Sequence, residues 1–279
     1  MTDTVSASAF PQTASKEKIK SGLSLAVKGW LIAALIGQWI FALYIFKQFA
    51  LPLINGSIDE SMYTYMIRGY INGDTFNNAL LLLHVVPVIL INLAAFIQFL
   101  PGVRQRLPKL HRLNGRVYFT VGLMGAFGGL YMTWITGSRL SVTGALGVTL
   151  NGVLIIVAVY YAWKYARARQ FAQHRRFAVH AFILINGVWT FRLYLMSWFM
   201  INQGPMGNNA TLNGPADIIL SFASYLLPMA VAELVMRAEK SRHSRTVITA
   251  SLTVVAMFLL TVAGTFAATI MMWGPRIIS

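Results

Sequence analysis

Long apolar runs alternate with short polar connections along the chain. A run of about 18 or more apolar residues is long enough to cross the hydrocarbon core of a membrane as a helix. We therefore predict an all-α polytopic membrane bundle of seven transmembrane helices, in which the second to fifth spans form a four-helix core. The predicted spans are residues 28–48, 78–100, 114–137, 142–164, 177–201, 216–237 and 246–273.

The segments outside the spans divide the rest of the chain into short pieces. We predict a polar cytoplasmic tail at 1–27, a single transmembrane domain at 28–273 and an external end at 274–279. The tail lacks the apolar run of a cleavable signal peptide. Between the first two spans, Met62, Met66 and Tyr70 recur every four residues, which predicts a short amphipathic helix on the membrane surface.

The composition supports a membrane protein and excludes several kinds of chemistry. Hydrophobic residues make up 57% of the 279 positions and charged residues 11%, whereas soluble domains carry about 25% charged residues. The chain has no cysteine, which excludes disulfides, iron–sulfur clusters and cysteine-ligated zinc. The net charge of +15 would suggest nucleic-acid binding in a soluble protein.

The positions of the basic residues give this charge another meaning. Of the 23 lysines and arginines, 18 lie in the amino-terminal segment, in the connections after the second, fourth and sixth spans, or at the span ends that adjoin them. The positive-inside rule therefore predicts a bacterial inner-membrane protein with a cytoplasmic amino terminus and an external carboxyl terminus. The basic face predicts contact with anionic lipids and no binding of nucleic acid.

Several motifs resemble those of a known family. They are His84 within an apolar helix, LHRLNGRVY at 110–118, QHRRF at 173–177, the Phe-Arg pair at 191–192 and PMAVAEL at 228–234. The chain resembles, over roughly residues 30 to 240, a family of bacterial integral membrane proteins of unknown function. This resemblance implies a multi-helix inner-membrane protein, and it supplies no catalytic residues.

Two ionisable residues are predicted to lie inside the outer half of the membrane. Arg192 is about nine residues, roughly 14 Å, from the outer end of its span, and His84 is about six residues, roughly 9 Å, from the outer end of the second span. A mid-helix arginine costs about 2.5 kcal/mol or more to insert, so we expect Arg192 to face the bundle. Its partner could be Asp217, main-chain carbonyls with water, or the oxygen of a bound ligand.

The other candidate residues lie near the cytoplasmic face. His111 and His174 open their spans at the same depth, as the two axial ligands of a b-type haem iron would. The alternative is that both bind lipid phosphates. His180 is a further candidate for cofactor binding, but it follows His174 by about 600° of helical rotation and therefore faces another direction. Glu233 is expected to pair with a nearby arginine.

These residues support three classes of function. The first is a redox-type protein that binds haem b or a quinone-like lipid, with Arg192 holding the ligand oxygen and residues 60–70 acting as a lid. The second is a transporter of small molecules or lipids, against which the absence of a recognisable pair of broken helices argues. The third is an accessory scaffold within a larger membrane complex. Whether the protein is an enzyme stays open.

Overall fold

The computed structural model describes residues 10–63, 66, 69–100 and 102–278, and all of the regular structure in these residues is helical. The helices are α1 (Phe10–Ile45), α2 (Leu51–Asn55), α3 (Thr75–Val85), α4 (Val88–Phe99), α5 (Val103–Arg106), α6 (Pro108–Trp134), α7 (Val142–Arg167), α8 (Phe171–Ile185), α9 (Gly187–Asn202), α10 (Pro215–Lys240), α11 (Ser244–Ala268) and α12 (Gly274–Ile278). Short π-helical turns join α1 to α2 and α11 to α12. The predicted all-α membrane bundle is confirmed.

Seven helical rods correspond to the seven predicted spans. Within the described part of the chain, five of them are long and apolar enough to cross a membrane, namely Glu17–Asn55, Thr75–Phe99, Val142–Arg167, Pro215–Lys240 and Ser244–Ile278. The bent pair of α8 and α9 makes a sixth when it is counted as one span. The remaining rod, α6, is 27 residues long, but four glycines in its apolar part lower its mean hydropathy.

The first rod begins earlier than its hydrophobic pattern predicts. Helix α1 starts at Phe10, so much of the predicted polar tail is helical. Leu23 is buried, and Ile19 and Val27 pack against the same core as Val247 at the start of α11. The helix continues because one of its faces is apolar and covered by α11, although the other face is polar.

Two hydrophobic cores hold the rods together. The first lies among α4, α6, α7 and α8 and includes Tyr118, Val159 and Leu184. It contains parts of the predicted second to fifth spans and also Tyr225 of α10, so it is not limited to those four spans. The second core lies among α1, α9, α10 and α11 and includes Leu193 and Val254. The outer half of the fifth span therefore belongs to a different core from its inner half.

Two rods are interrupted inside the membrane. Pro87 separates α3 from α4, because proline lacks the amide proton that a continuous helix needs. Asn186 separates α8 from α9, which begins at Gly187, and the axes of the two helices differ by 55°. A Cβ atom at Gly187 would lie 2.8 Å from Nδ2 of Asn151 on α7, so this close approach requires glycine. His84 lies just before the first break, and Arg192 follows the second by little more than one turn.

Candidate ligand site in the outer half of the bundle

His84 lies in the last turn of α3, with its imidazole against the glycine-rich face of α6. A Cβ atom at Gly129 would be 3.1 Å from Cε1 of the ring, and one at Gly128 would be 3.6 Å from Nδ1. The ring also lies against the backbone of Gly125. The small residues of GAFGGL therefore make room for an imidazole. Its Nδ1 atom is enclosed and has no hydrogen-bond partner among the described residues.

Arg192 approaches the same region from α9. Its guanidinium donates a hydrogen bond to the carbonyl of Val188, at 3.2 Å. It also lies over the ring of Phe41 on α1, 5.4 Å from the ring centre, where a cation–π contact is favourable. Arg192 is close enough to His84 to act on it electrostatically. The two residues therefore lie within electrostatic range of each other, and their sharing of one cavity stays a prediction.

Asp217 is engaged elsewhere. Its carboxylate is almost inaccessible and accepts hydrogen bonds from Nδ2 of Asn208 (2.5 Å) and from the backbone amides of Asn209 (3.0 Å) and Gly214 (3.1 Å). These bonds fix the connection between α9 and α10 to the start of α10. Arg192 therefore bonds a main-chain carbonyl, which was one of its expected partners. Asp217, another expected partner, accepts hydrogen bonds from the connection before α10 instead.

Further buried polar groups lie one turn deeper in the membrane. Gln38 on α1 is 1% exposed, and neither atom of its side-chain amide has a partner among the described residues. Its main-chain carbonyl accepts a 3.1 Å hydrogen bond from Nδ2 of Asn92 on α4. The indole nitrogen of Trp189 on α9 is likewise buried without a partner there. We did not predict Gln38 or Trp189 as site residues, although Gln38 is a lone amide within the apolar run GWLIAALIGQWIFALY.

The predicted haem ligands lie together but offer an incomplete site. His174 donates from Nδ1 to the carbonyl of Ala162 at 3.0 Å, which leaves Nε2 able to bind a metal. His111, close enough to interact with His174 electrostatically, accepts a bond from the amide of Gln98 at Nε2, at 3.2 Å. The proton of His111 is then on Nδ1, which has no accessible surface. This arrangement of His111 does not fit a haem ligand.

His180 belongs to a contact between α8 and α10 that we call the inner clasp, formed by His180, Glu233 and Arg176. Nε2 of His180 donates to Oε1 of Glu233 at 2.7 Å, and Nε of Arg176 donates to the same oxygen at 2.5 Å. Arg176 is thus the arginine that pairs with Glu233. With Nε2 engaged in this way, His180 is not available as a cofactor ligand through that atom.

The proposed lid segment is anchored at its start. Glu60–Tyr63 forms a 3₁₀ turn rather than an amphipathic α-helix, and Thr64, Tyr65, Ile67 and Arg68 lie outside the described residues. Tyr63 is buried, stacks on Phe49 with 5.1 Å between ring centres, and donates to the carbonyl of Gln48 at 2.9 Å. Burial raises the pKa of Tyr63 to about 12. Tyr63 therefore fastens this segment to the outer end of the first rod.

The comparison with known proteins identifies the family. Residues 81–236, more than half of the chain, match the family described as "Predicted membrane protein (DUF2306)". The chain belongs to this family. The matched region contains His84, Arg192 and the three histidines His111, His174 and His180. No curated protein and no solved structure shows significant similarity to the chain.

Proposed function

We propose that the protein binds a lipophilic molecule with an oxygen-bearing head group, of the quinone class, beside His84 and Arg192. The observation that carries this proposal is that two ionisable side chains from different helices, each next to a helix break, lie within electrostatic range of each other inside the bundle. Ionisable groups at such depth are costly to insert and commonly mark binding or transfer sites. The proposal concerns binding, and it assigns no electron donor.

The chemistry of the two side chains suits such a ligand. The planar guanidinium of Arg192 carries several N–H donors, and a quinone carbonyl accepts hydrogen bonds from such donors. His84 can donate or accept a hydrogen bond, and its pair of ring nitrogens allows it to exchange a proton with a bound oxygen. The surrounding side chains, such as Phe41, supply an apolar wall for the rest of the molecule.

Space for a ligand adjoins the two side chains. A Cβ atom placed at Gly125, whose backbone lies against His84, would meet no heavy atom within 4 Å. Val188, whose carbonyl accepts from Arg192, is 42% exposed. Open space beside each of these positions would let an apolar ligand approach His84 or Arg192 without unfolding either helix.

Quinone binding can be measured by fluorescence, because quinones quench tryptophan and Trp189 lies one turn from Arg192. We expect a short-chain ubiquinone analogue to quench the purified protein in mild detergent with saturation. Arg192→Lys should weaken binding because lysine lacks the planar guanidinium with its paired N–H donors. Arg192→Leu should abolish binding, although the protein still inserts into the membrane. Arg139→Leu is the matched control, since Arg139 also bonds a carbonyl and covers a tryptophan ring. Equal binding by Arg192→Leu and wild type would refute the proposal.

A haem b protein is the second candidate, supported by the proximity of His111 to His174 and by the free Nε2 of His174. Because His111 presents no free nitrogen, haem binding requires its ring to turn away from Gln98. A visible spectrum before and after reduction tests this candidate. A Soret band that His174→Ala removes would support it, and a colourless preparation would leave only the first candidate.

The cellular setting is part of the proposal. We place the protein in a bacterial inner membrane with its amino terminus in the cytoplasm, on the basis of the distribution of basic residues. Among the described residues of the cytoplasmic groups, the salt bridges to carboxylates engage only Arg175 and Arg176. The remaining lysines and arginines can bind anionic lipid head groups or a partner subunit of a larger membrane complex.

A further inference from the structure

The two broken rods hold equivalent places in the chain. When the first rod is set aside, the other six form two sets of three, the first from α3 to α7 and the second from α8 to α11. Each set begins with a broken rod, and each break lies near the middle of its rod, at Pro87 and at Asn186. The sequence contains no recognisable pair of this kind, which argued against a transporter, but the structure has one.

The two sets cross the membrane in opposite directions. Because successive rods alternate in direction, the first set begins with a rod that runs inwards and the second with a rod that runs outwards. In many secondary transporters, such inverted sets hold the substrate near the middle of the bilayer, at their discontinuous helices. His84 lies in the last turn before the first break, and Arg192 follows the second break closely.

The packing of the bundle also changes at the second break. Helix α8 contributes Leu184 to the first core, whereas α9 contributes Leu193 to the second core. Only Asn186 joins the two helices, whose axes differ by 55°. A few residues at the end of an element can absorb the dihedral changes of a hinge movement. The two cores can therefore move against each other at this break while each keeps its own packing.

The charges near the breaks favour an anionic substrate with an apolar body. The sequence has no acidic residue between Asp74 and Asp217, and Asp217 is engaged by the connection before α10. Arg192 carries a planar guanidinium, which suits anionic oxygens such as those of a carboxylate, and it lies over the apolar ring of Phe41. Helix α9 also begins inside the membrane, so the positive end of its dipole lies in the same region.

We propose that the protein carries a small organic anion across the membrane by alternating access, with its two cores moving against each other at the two breaks. The region beside His84 and Arg192 then opens to one side of the membrane at a time. Water and water-soluble reagents reach it from both sides in turn. Quinone binding requires no such movement, so this proposal and the quinone proposal can fail separately.

Cysteine labelling tests the movement, because the chain has no cysteine of its own. Gly125→Cys places a thiol beside His84, where a Cβ atom meets no heavy atom within 4 Å. We expect a membrane-impermeant maleimide to label this thiol both in intact cells and in inside-out vesicles. Phe127→Cys, at an exposed position of the same helix, is the matched control and should resist labelling because lipid covers it. Labelling of Gly125→Cys from one side only, or from neither, would overturn the proposal.

A proline substitution tests the role of the first break. Pro87→Ala supplies the amide donor that proline lacks and should straighten the second rod. In the Gly125→Cys background it should therefore abolish labelling from one side of the membrane. Pro228→Ala is the matched control, because Pro228 lies within the uninterrupted helix α10, and it should leave labelling from both sides. Two-sided labelling that Pro87→Ala leaves unchanged would contradict a movement at this break.

Protection from labelling tests the class of substrate. The probe is benzenesulfonate, an anion with an apolar ring. At about ten times its Kd, it should slow the labelling of Gly125→Cys about tenfold, because only unoccupied protein reacts. Arg192→Leu should remove this protection. Two-sided labelling that benzenesulfonate does not slow would contradict an anionic substrate. Quenching by the quinone analogue together with one-sided labelling would support the quinone proposal and overturn this one.

Discussion

Removal of Glu233 is expected to destabilise the protein more than removal of its arginine partner. In the inner clasp, the side chain of His180 is 9% exposed, whereas that of Arg176 is 48% exposed. A hydrogen bond from a buried group to a charged acceptor contributes about 1.5–3 kcal/mol. An ion pair with a half-exposed arginine contributes at most about 1 kcal/mol. The buried member of the clasp should therefore dominate its free energy.

We expect Glu233→Ala to lower the free energy of unfolding by roughly 2–3 kcal/mol, because it leaves Nε2 of His180 buried without an acceptor. Arg176→Ala should lower the free energy of unfolding by less than about 1 kcal/mol, because the half-exposed guanidinium forms an ion pair that solvent screens. At about 2 °C per kcal/mol, apparent Tm should fall by about 4–6 °C in the first variant and by less than about 2 °C in the second. Tryptophan fluorescence during heating in detergent measures both.

A double-mutant cycle identifies which contact carries the effect. His180→Ala and Glu233→Ala should cost much less together than the sum of their separate costs, because each removes the same hydrogen bond. Arg175→Ala serves as the control, since it breaks the more exposed pair with Glu239 on the same two helices. If Arg176→Ala destabilises as strongly as Glu233→Ala, or if the costs of the two buried substitutions simply add, the reasoning fails.

Three further predictions concern the outer half and the topology. Gly129→Val should displace the imidazole of His84 and weaken binding of the quinone analogue in the quenching assay, whereas Gly22→Val, with open space around its Cβ position near the start of α1, should bind as wild type does. Tyr63→Phe should lower the free energy of unfolding by about 1 kcal/mol, measured by thermal unfolding. Because the pKa of Tyr63 is raised to about 12 in the folded protein, the wild type should also lose stability as pH rises from about 10 towards 12. A similar loss in Tyr63→Phe would contradict this. A reporter that is active only in the periplasm should be active when fused after Ser279, and activity of a cytoplasmic reporter there would refute the topology.

The sequence predicted most of the fold because the bilayer constrains it strongly. A helix that crosses hydrocarbon must satisfy its own backbone, so a long apolar run has few alternatives. The predicted boundaries of the middle spans therefore agree with the helices within a few residues. The early start of α1 was not predicted, because it depends on the packing of α11 against residues such as Leu23. Such cover is a tertiary contact that hydropathy along one helix does not record.

The candidate site was predictable only in part, for a similar reason. Depth alone placed His84 and Arg192 in one leaflet, and the structure brings them together. The break at Gly187 depends on the close approach of Asn151 from another helix, and the sequence between 177 and 201 contains no proline to announce it. Likewise, Gln38 becomes notable only because both atoms of its amide are enclosed. Pairwise contacts between distant segments decide these features.

The placement of polar groups relative to the two breaks connects the fold with the proposed chemistry. A continuous helix satisfies its own backbone and presents only side chains, but a broken one also brings main-chain groups to the interior. Here the carbonyl of Val188, just after the second break, accepts a hydrogen bond from Arg192, and Gly187 at the break lies against the side-chain amide of Asn151 on α7. The inner clasp holds α8 on one side of this break, whereas α9 packs in the second core on the other. The break thus allows one span to serve two cores and to expose polar groups between them, which an uninterrupted helix at this position would not do.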